Sequence, residues 1–157
     1  MKLAVFSTKP YDKEYFDKFK KEYDIKISYF ETSLKPNTAN LTKDFDAVCV
    51  FVNDVMNKKT VEVIAKKGVK LIALRCAGFN NVDLDACKQN NIKVVRVPAY
   101  SPEAVAEHAM ALILTLNRKT HKAYNRVREG NFSLTNLIGF NLHKKVVGVI
   151  GTGKIGA

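Results

Sequence analysis

The sequence predicts an α/β protein whose parallel sheet is covered by helices on both faces. Short apolar segments alternate with amphipathic segments along residues 1–99, and the apolar segments are continuous rather than alternating with polar residues. Continuous apolar strands separated by helices are typical of parallel sheets that are buried on both sides. The hydrophobic fraction of 46% agrees with a globular chain and argues against wholesale disorder.

Five short segments predict the strands of this sheet. Each is an apolar run that ends in a polar or glycine-containing turn. The predicted strands span residues 2–7, 25–30, 46–52, 70–74 and 92–97. Together with their helices they predict a flavodoxin-like domain over about residues 1–99. Ligands of such sheets bind beyond the carboxyl ends of the strands, so we expect the loops that follow the strands to converge on one crevice.

Helices are predicted between the strands from apolar spacing and end signals. The first begins near Asp12 and carries an aromatic stripe at every fourth residue, which we expect to pack on the core. The stripe is formed by Tyr11, Tyr15, Phe19 and Tyr23. A second helix is predicted over residues 57–67 with a stop at Gly68, and a third over about residues 83–90. Residues 36–42 allow a short helical turn.

Two further helices and a sixth strand are predicted after residue 100. Residues 101–103 (Ser-Pro-Glu) supply a side-chain cap, a proline at the first helical position and a negative charge near the positive helix end. The helix is predicted over about residues 102–119. Its apolar face is formed by Val105, Ala109, Leu112, Ile113 and Leu116. A more polar helix and a loop follow within residues 121–143, and residues 145–150 predict the strand.

A glycine-rich loop directly after the sixth predicted strand matches the pattern G-x-G-x-x-G. It is formed by residues 151–156, Gly-Thr-Gly-Lys-Ile-Gly. In a dinucleotide site the first glycine makes a tight turn, the second admits the pyrophosphate and the third permits close packing. A glycine-rich turn without a ligand is the alternative. The acidic residue expected roughly 20 positions further on falls beyond Ala157, so we expect the chain to be a fragment.

Cysteine usage and hydropathy exclude several classes of protein. Cys49, Cys76 and Cys87 show no C-x-x-C spacing, which argues against a disulfide framework and against a metal site. Cys49 lies in an apolar run and is expected to be a core residue. No apolar run approaches the roughly 20 residues of a membrane-spanning helix, and the N-terminus lacks a signal-peptide pattern. We therefore predict a cytoplasmic protein with no membrane partner.

The net charge of +11 raises the alternative of nucleic-acid binding. The 26 basic residues are scattered, however, and none of their clusters reaches five like charges in a row. Solvated helix faces explain this distribution more simply, so we predict no nucleic-acid partner.

Four segments form a combination that is more specific than any one of them. They are residues 74–83 (LRCAGFNNVD), 97–102 (VPAYSP), 105–108 (VAEH) and 151–156. In order and spacing they resemble the NAD-dependent D-2-hydroxyacid dehydrogenase family, and in detail its fermentative, pyruvate-reducing D-lactate dehydrogenases. The resemblance implies a flavodoxin-like substrate domain over residues 1–99, which a C-terminal segment completes in the family. The start of a Rossmann NAD-binding domain would follow at residues 100–157.

The resemblance also implies a substrate site. The backbone N–H groups of Ala77 and Gly78 would bind the substrate carboxylate, and the phenol of Tyr100 would add a hydrogen bond. A loop at the carboxyl end of a strand can aim amides at an anion, and glycine lets a ligand approach. The plainer alternatives are an ordinary turn for Ala77 and Gly78 and a packing residue between domains for Tyr100.

For the cofactor, the resemblance implies that Val105 touches the nicotinamide, with a core position as the alternative. Lys154 and Ile155 would lie along the pyrophosphate through their backbone amides. The glycines of this site would be Gly151, Gly153 and Gly156.

The family's catalytic arginine, glutamate and histidine would lie past residue 157, so no catalytic residue is expected within this chain. His108, His121 and His143 do not stand at a strand end of the sheet, and we do not expect any of them to act as the general acid.

The activity that the resemblance implies is NADH-dependent reduction of pyruvate to D-lactate and the reverse, by a dimer or tetramer formed through the 102–119 helix. The 157 residues alone are expected to be inactive. One alternative is a dehydrogenase for a bulkier 2-oxo acid. Another is a non-enzymatic binding module, either a flavodoxin-like regulatory domain or a corepressor related to the family that senses NAD. A receiver-type regulator would need acidic residues after the first strand beside Asp54, where Ser7 and Thr8 stand instead.

Overall fold

Five parallel strands form the sheet of the structure, a computed structural model that describes all residues from Met1 to Ala157. The strands are β1 (Lys2–Val5), β2 (Lys26–Tyr29), β3 (Ala47–Val50), β4 (Leu71–Leu74) and β5 (Lys93–Arg96). Their spatial order is β2-β1-β3-β4-β5, which is the flavodoxin-like order. The predicted α/β class and all five strands of residues 1–99 are confirmed.

Alternate residues of the central strands point into two apolar layers on opposite faces of the sheet. Val48 and Val50 of β3 join the larger cluster with Ile64, while Ala47 and Cys49 join the smaller one. This period of two follows from the pleat of a strand. Every residue of β3 is buried because β3 has a neighbouring strand on each side and a layer of side chains on each face.

Three helices accompany the sheet within residues 1–100, and their ends follow local signals. They are α1 (Pro10–Phe19), α2 (Lys58–Lys66) and α3 (Leu84–Gln89). Asn57 caps α2 by accepting the Thr60 N–H at 3.0 Å, and Asp83 caps α3 by accepting the Ala86 N–H at 2.8 Å. After α2, Gly68 takes the left-handed conformation with φ of +97°, as a helix stop requires. A short 3₁₀ turn spans Ala39–Thr42.

The aromatic stripe predicted for the first helix does not pack on the core, so that prediction is wrong. The stripe also outruns the helix, because α1 ends at Phe19 and Tyr23 follows a 3₁₀ turn over Lys20–Glu22. The four members of the stripe are 45–66% exposed, and Phe16 packs on the smaller apolar layer instead, with its ring 6.5 Å from that of Tyr29. The stripe lies beside the face that contacts the sheet. With Leu3, Ile25 and Ile27 it lines a surface groove of about 380 Å³. Spacing identified an apolar stripe, but the rotation of the helix about its axis is set by the sheet beneath it.

Residues 101–157 form a second unit. Its helices are α4 (Pro102–Arg118) and α5 (Thr120–Arg128). The Ser101 side chain caps α4 by accepting the Ala104 N–H at 3.3 Å, as predicted, and Lys119 separates the two helices in the left-handed conformation. No helix of the chain combines the length and apolar character that a membrane crossing requires.

The strand predicted over residues 145–150 is absent, which corrects that prediction. These residues have no regular structure, and Val146 and Ile150 are fully or almost fully exposed. A strand exists only through hydrogen bonds to a neighbour, and all five strands of the sheet lie within residues 1–100. The apolar run therefore has no partner within its own unit.

Candidate functional site

The loops at the carboxyl ends of the strands converge at one edge of the sheet, as the sequence predicted, and hydrogen bonds join them. The Ser7 hydroxyl after β1 donates to Asp54 after β3 at 2.8 Å. The Asn81 side-chain amide after β4 donates to the Asp54 carbonyl at 3.0 Å. The Val97 N–H after β5 donates to the Cys76 carbonyl at 3.3 Å. One edge of the sheet thus carries a connected set of loops, where ligands of such sheets bind.

Asp54 organises this edge as a buried hydrogen-bond acceptor. Its carboxylate is 1% exposed and accepts bonds from the Ser7 hydroxyl, from the Leu34 N–H at 2.7 Å and from the Phe51 N–H at 2.6 Å. Three donors occupy both of its oxygens, so the group serves to hold three loops together. This use disfavours the receiver-type alternative, which needs an accessible carboxylate.

Arg75, which the sequence analysis did not single out, is the second organiser of this edge. Its guanidinium donates to the carbonyls of Phe6 at 3.0 Å and Ser7 at 3.2 Å. It also lies 3.5 Å from the Asp12 carboxylate and 5.4 Å from the centre of the Phe51 ring. Its side chain is only 12% exposed. Its carbonyl partners stand 68 and 69 positions away in the chain, so no local pattern could have revealed them.

The Ala77–Gly78 segment offers free backbone donors at this edge. The N–H groups of Ala77 and Gly78 donate to no protein acceptor. A Cβ atom placed on Gly78 would meet no other atom within 4 Å, so the space above this residue is open. The Ala77 carbonyl, in contrast, accepts from the Arg96 guanidinium at 2.9 Å. Unpaired amides beside open space are a ready anion-binding arrangement.

The three cysteines are buried and free. Cys49 lies in the smaller apolar layer, which confirms its predicted core position. The Cys76 thiol donates to the Gly78 carbonyl at 3.2 Å. Burial raises the pKa of this thiol, so the sulfur keeps its proton at neutral pH and remains a donor. No group of three or more His, Cys, Asp or Glu side chains is placed to hold a metal ion.

Tyr100 lies beyond β5 with 72% of its surface exposed. Its hydroxyl forms no hydrogen bond within the chain. The phenol is therefore accessible to a ligand.

The three glycines of the glycine loop, residues 151–156 in the second unit, have different surroundings. Gly151 has a φ of +91°, which makes the tight turn. Gly153 faces open space, and a Cβ atom on Gly156 would collide with the Gly151 carbonyl oxygen. The N–H groups of Lys154 and Ile155 donate to no protein acceptor. The turn at Gly151 and the open space at Gly153 meet two demands of a dinucleotide loop, whereas the close packing at Gly156 is against Gly151 of the same loop, since no strand or helix flanks it.

The remaining residues singled out in the sequence lie on exposed surfaces of the second unit. Val105, in the first turns of α4, is 42% exposed. His108 lies on α4, His121 on α5 and His143 in the loop that follows, and all three are exposed. None of the three forms a hydrogen bond that would hold it as a proton donor.

Comparison with known proteins identifies relatives of the whole chain. Residues 3–149 match the family described as D-isomer specific 2-hydroxyacid dehydrogenase, catalytic domain. The D-lactate dehydrogenase of Escherichia coli is 55% identical over 156 residues, which cover 99% of this chain and 47% of that protein. The chain therefore spans about half the length of the curated relatives it matches.

Solved structures give the same result. The apo-structure of D-lactate dehydrogenase from Escherichia coli has a TM-score of 0.91 at 55% identity, covering 99% of this chain and 49% of that one. The pyruvate reductase of Chlamydomonas reinhardtii has a TM-score of 0.90 at 48% identity, with 99% and 46% covered. The Aquifex aeolicus D-lactate dehydrogenase complexed with NAD and lactic acid has a TM-score of 0.78 at 34% identity, with 98% and 45% covered. The chain belongs to the D-isomer specific 2-hydroxyacid dehydrogenase family.

Proposed function

We propose that this chain is the N-terminal part of an NAD-dependent D-lactate dehydrogenase, which reduces pyruvate to D-lactate and catalyses the reverse reaction. The observation that carries the proposal is the pair of unpaired amides of Ala77 and Gly78 beside open space at the carboxyl edge of the sheet. A small carboxylate is the ligand such amides accept. Support comes from similarity to a D-lactate dehydrogenase and to a pyruvate reductase.

In this proposal residues 1–99 are the substrate domain and residues 100–157 begin the NAD domain. The amides of Ala77 and Gly78 bind the substrate carboxylate, and the exposed phenol of Tyr100 adds a hydrogen bond to the same substrate. A bound carboxylate that accepts two backbone amides gains charge-assisted hydrogen bonds, which are stronger than neutral ones. Orientation by these contacts sets which face of the carbonyl carbon is presented to the cofactor.

NAD, when bound, supplies the hydride. We propose that Gly151, Gly153 and Gly156 shape its pyrophosphate site, and that the free amides of Lys154 and Ile155 bind the phosphate oxygens. Val105, exposed in the first turns of α4, is proposed to line the nicotinamide side. The structure of a relative in complex with NAD and lactic acid supports this choice of cofactor.

The group that polarises the substrate carbonyl and the group that supplies the proton are proposed to come from outside residues 1–157. Within these residues, no histidine is held by a hydrogen bond, and Arg75 is committed to backbone carbonyls and Asp12. We therefore expect the 157-residue chain alone to show no turnover.

We further propose that the enzyme is a homo-oligomer, a dimer or tetramer, that assembles through α4. This helix exposes several large apolar side chains along its length. They include Met110, Leu112, Ile113, Leu114 and Leu116, which are 40–67% exposed. Apolar surface of this extent on one helix is typical of an interface rather than of solvated surface. The cytoplasmic location stays a prediction from the sequence.

The test is NADH oxidation by the full-length protein with a panel of 2-oxo acids, from pyruvate to branched and aromatic ones. We expect the highest kcat/KM with pyruvate. A preference for a bulkier acid would favour the alternative that the protein is a dehydrogenase of the same family with a larger 2-oxo acid as substrate. NADH binding without oxidation on any 2-oxo acid would contradict the proposal and favour the NAD-sensing module.

A further inference from the structure

Three consecutive carbonyl groups of the loop after β4 are each held by a separate donor. The Cys76 carbonyl accepts from the Val97 N–H at 3.3 Å. The Ala77 carbonyl accepts from Arg96 Nη1 at 2.9 Å. The Gly78 carbonyl accepts from the Cys76 thiol at 3.2 Å. One backbone donor and two side-chain donors therefore fix the planes of three successive peptide groups.

The amides of these same peptide groups are free. In a trans peptide the N–H points opposite to the C=O, and the chain contains no cis peptide. The N–H groups of Ala77, Gly78 and Phe79 therefore each point away from the donor that holds the carbonyl of the same peptide. None of them donates to a protein acceptor. Fixing the carbonyl side of a peptide thus fixes the direction in which its unpaired amide is presented.

Arg96 also contributes an unpaired positive charge beside the loop. The ion pairs of the chain are Lys13–Glu31, Lys20–Asp17 and Arg75–Asp12, so Arg96 has no carboxylate partner. Its guanidinium lies 5.4 Å from the centre of the Phe79 ring, and Nη1 also reaches the Pro98 carbonyl at 3.3 Å. The planar guanidinium of Arg96 thus contacts two carbonyl oxygens and an aromatic ring, a combination that a lysine ammonium could not reproduce.

We propose that Arg96 and Cys76 are positioning residues of the substrate site, which orient the amides of Gly78 and Phe79 toward the carboxylate of the 2-oxo acid. Phe79 thereby becomes a third amide donor beside Ala77 and Gly78. The inference rests on the proposed function, because it deepens the account of the same site. Neither side chain needs to touch the substrate, since each acts through the peptide that it holds.

The experiment compares steady-state kinetics of full-length Arg96→Met, Arg96→Lys, Cys76→Ala and Cys76→Ser with the wild type. We expect the KM for pyruvate to rise about tenfold in Arg96→Met, the equivalent of about 1.4 kcal/mol, with the KM for NADH unchanged and kcat changed less. Arg96→Lys should recover only part of this loss. Cys76→Ala should raise the KM a few-fold, and Cys76→Ser, which keeps a donor, should restore it.

Lys93→Met is the matched control, because Lys93 is an exposed cation at the opposite end of the same strand. Its KM should equal that of the wild type. An unchanged KM for pyruvate in folded Arg96→Met would overturn the inference, as would equal KM values for Cys76→Ala and Cys76→Ser above the wild-type value.

A second measurement separates this inference from the proposed function. Backbone amide shifts of the full-length protein are followed by NMR during titration with pyruvate, in the wild type and in Arg96→Met. Saturable shifts at Ala77, Gly78 and Phe79 that weaken in the variant support the inference, even if the full-length protein reduces no 2-oxo acid and the proposed function falls. Equal shifts in both proteins would overturn the inference while leaving the proposed function intact.

Discussion

Replacing Asp54 by alanine should be one of the most destabilising single changes at the carboxyl edge of the sheet. The carboxylate is 1% exposed and accepts from Ser7, Leu34 and Phe51 at 2.6–2.8 Å. Alanine at this position leaves two backbone N–H groups and one hydroxyl without an acceptor. Ser7 lies only partly buried, so water can replace its lost bond more easily than those of the two backbone groups.

The magnitude follows from these contacts. A hydrogen bond to a charged group contributes about 1.5–3 kcal/mol, so the three bonds together contribute roughly 4.5–9 kcal/mol. The carboxylate no longer has to be desolvated in the variant, which offsets part of that loss. A buried donor left without an acceptor costs about 1–3 kcal/mol, so the two backbone N–H groups account for about 4 kcal/mol, which is the loss we expect. Asp54→Asn keeps one acceptor oxygen, which can still serve the Ser7 hydroxyl and the Leu34 N–H, but its NH₂ group then faces the Phe51 N–H, which is also a donor. It should therefore lose about half as much.

Urea unfolding followed by far-ultraviolet circular dichroism measures both variants. Glu14→Ala is the control, because Glu14 is an exposed carboxylate without a hydrogen bond or ion pair, and surface changes of this kind stay within about 0.5 kcal/mol. A loss below about 1 kcal/mol in Asp54→Ala would refute the reasoning. Equal losses in the alanine and asparagine variants would show that one acceptor oxygen is not enough to hold this edge.

Three further predictions concern the core, a helix end and the glycine loop. Burial raises the pKa of Cys87 from 9.0 to about 11, so the thiol's stabilising contribution is complete below pH 9 and is lost as the pH rises through 11. The free energy of unfolding should fall by up to about 1.4 kcal/mol per pH unit between pH 9 and 11. Urea unfolding of Cys87→Ala over the same pH range should show a smaller fall, because the variant has no thiol to titrate. Asn57→Ala should cost about 1 kcal/mol by removing the cap of α2, measurable in the same assay, whereas Asn57→Asp should not. Gly156→Ala should weaken NADH binding in fluorescence titrations by distorting the loop. Gly153→Ala should weaken binding with the loop intact, because its methyl group would occupy only the open space. Unchanged binding in both variants would argue against a pyrophosphate at this loop.

Much of the fold could be predicted because its determinants are local in sequence. The five strands follow from short apolar runs, and the ends of α2 and α4 follow from Asn57, Gly68 and Ser101, each of which acts on backbone within four residues of itself. The glycine spacing of residues 151–156 and the residues that resemble the dehydrogenase family are equally local. These features indicated the family before any contact between distant residues was known.

Features that depend on contacts between residues far apart in the sequence were decided only by the tertiary structure. The stripe of α1 is exposed because the position of Phe16 on the sheet fixes the rotation of the helix, and residues 145–150 form no strand because a strand needs a neighbour. Arg75 and Asp54 acquire their roles only when loops 20–69 positions apart meet at one sheet edge. Apolar periodicity and capping are encoded in neighbouring residues, whereas a buried acceptor and its donors are brought together only by the order of the strands.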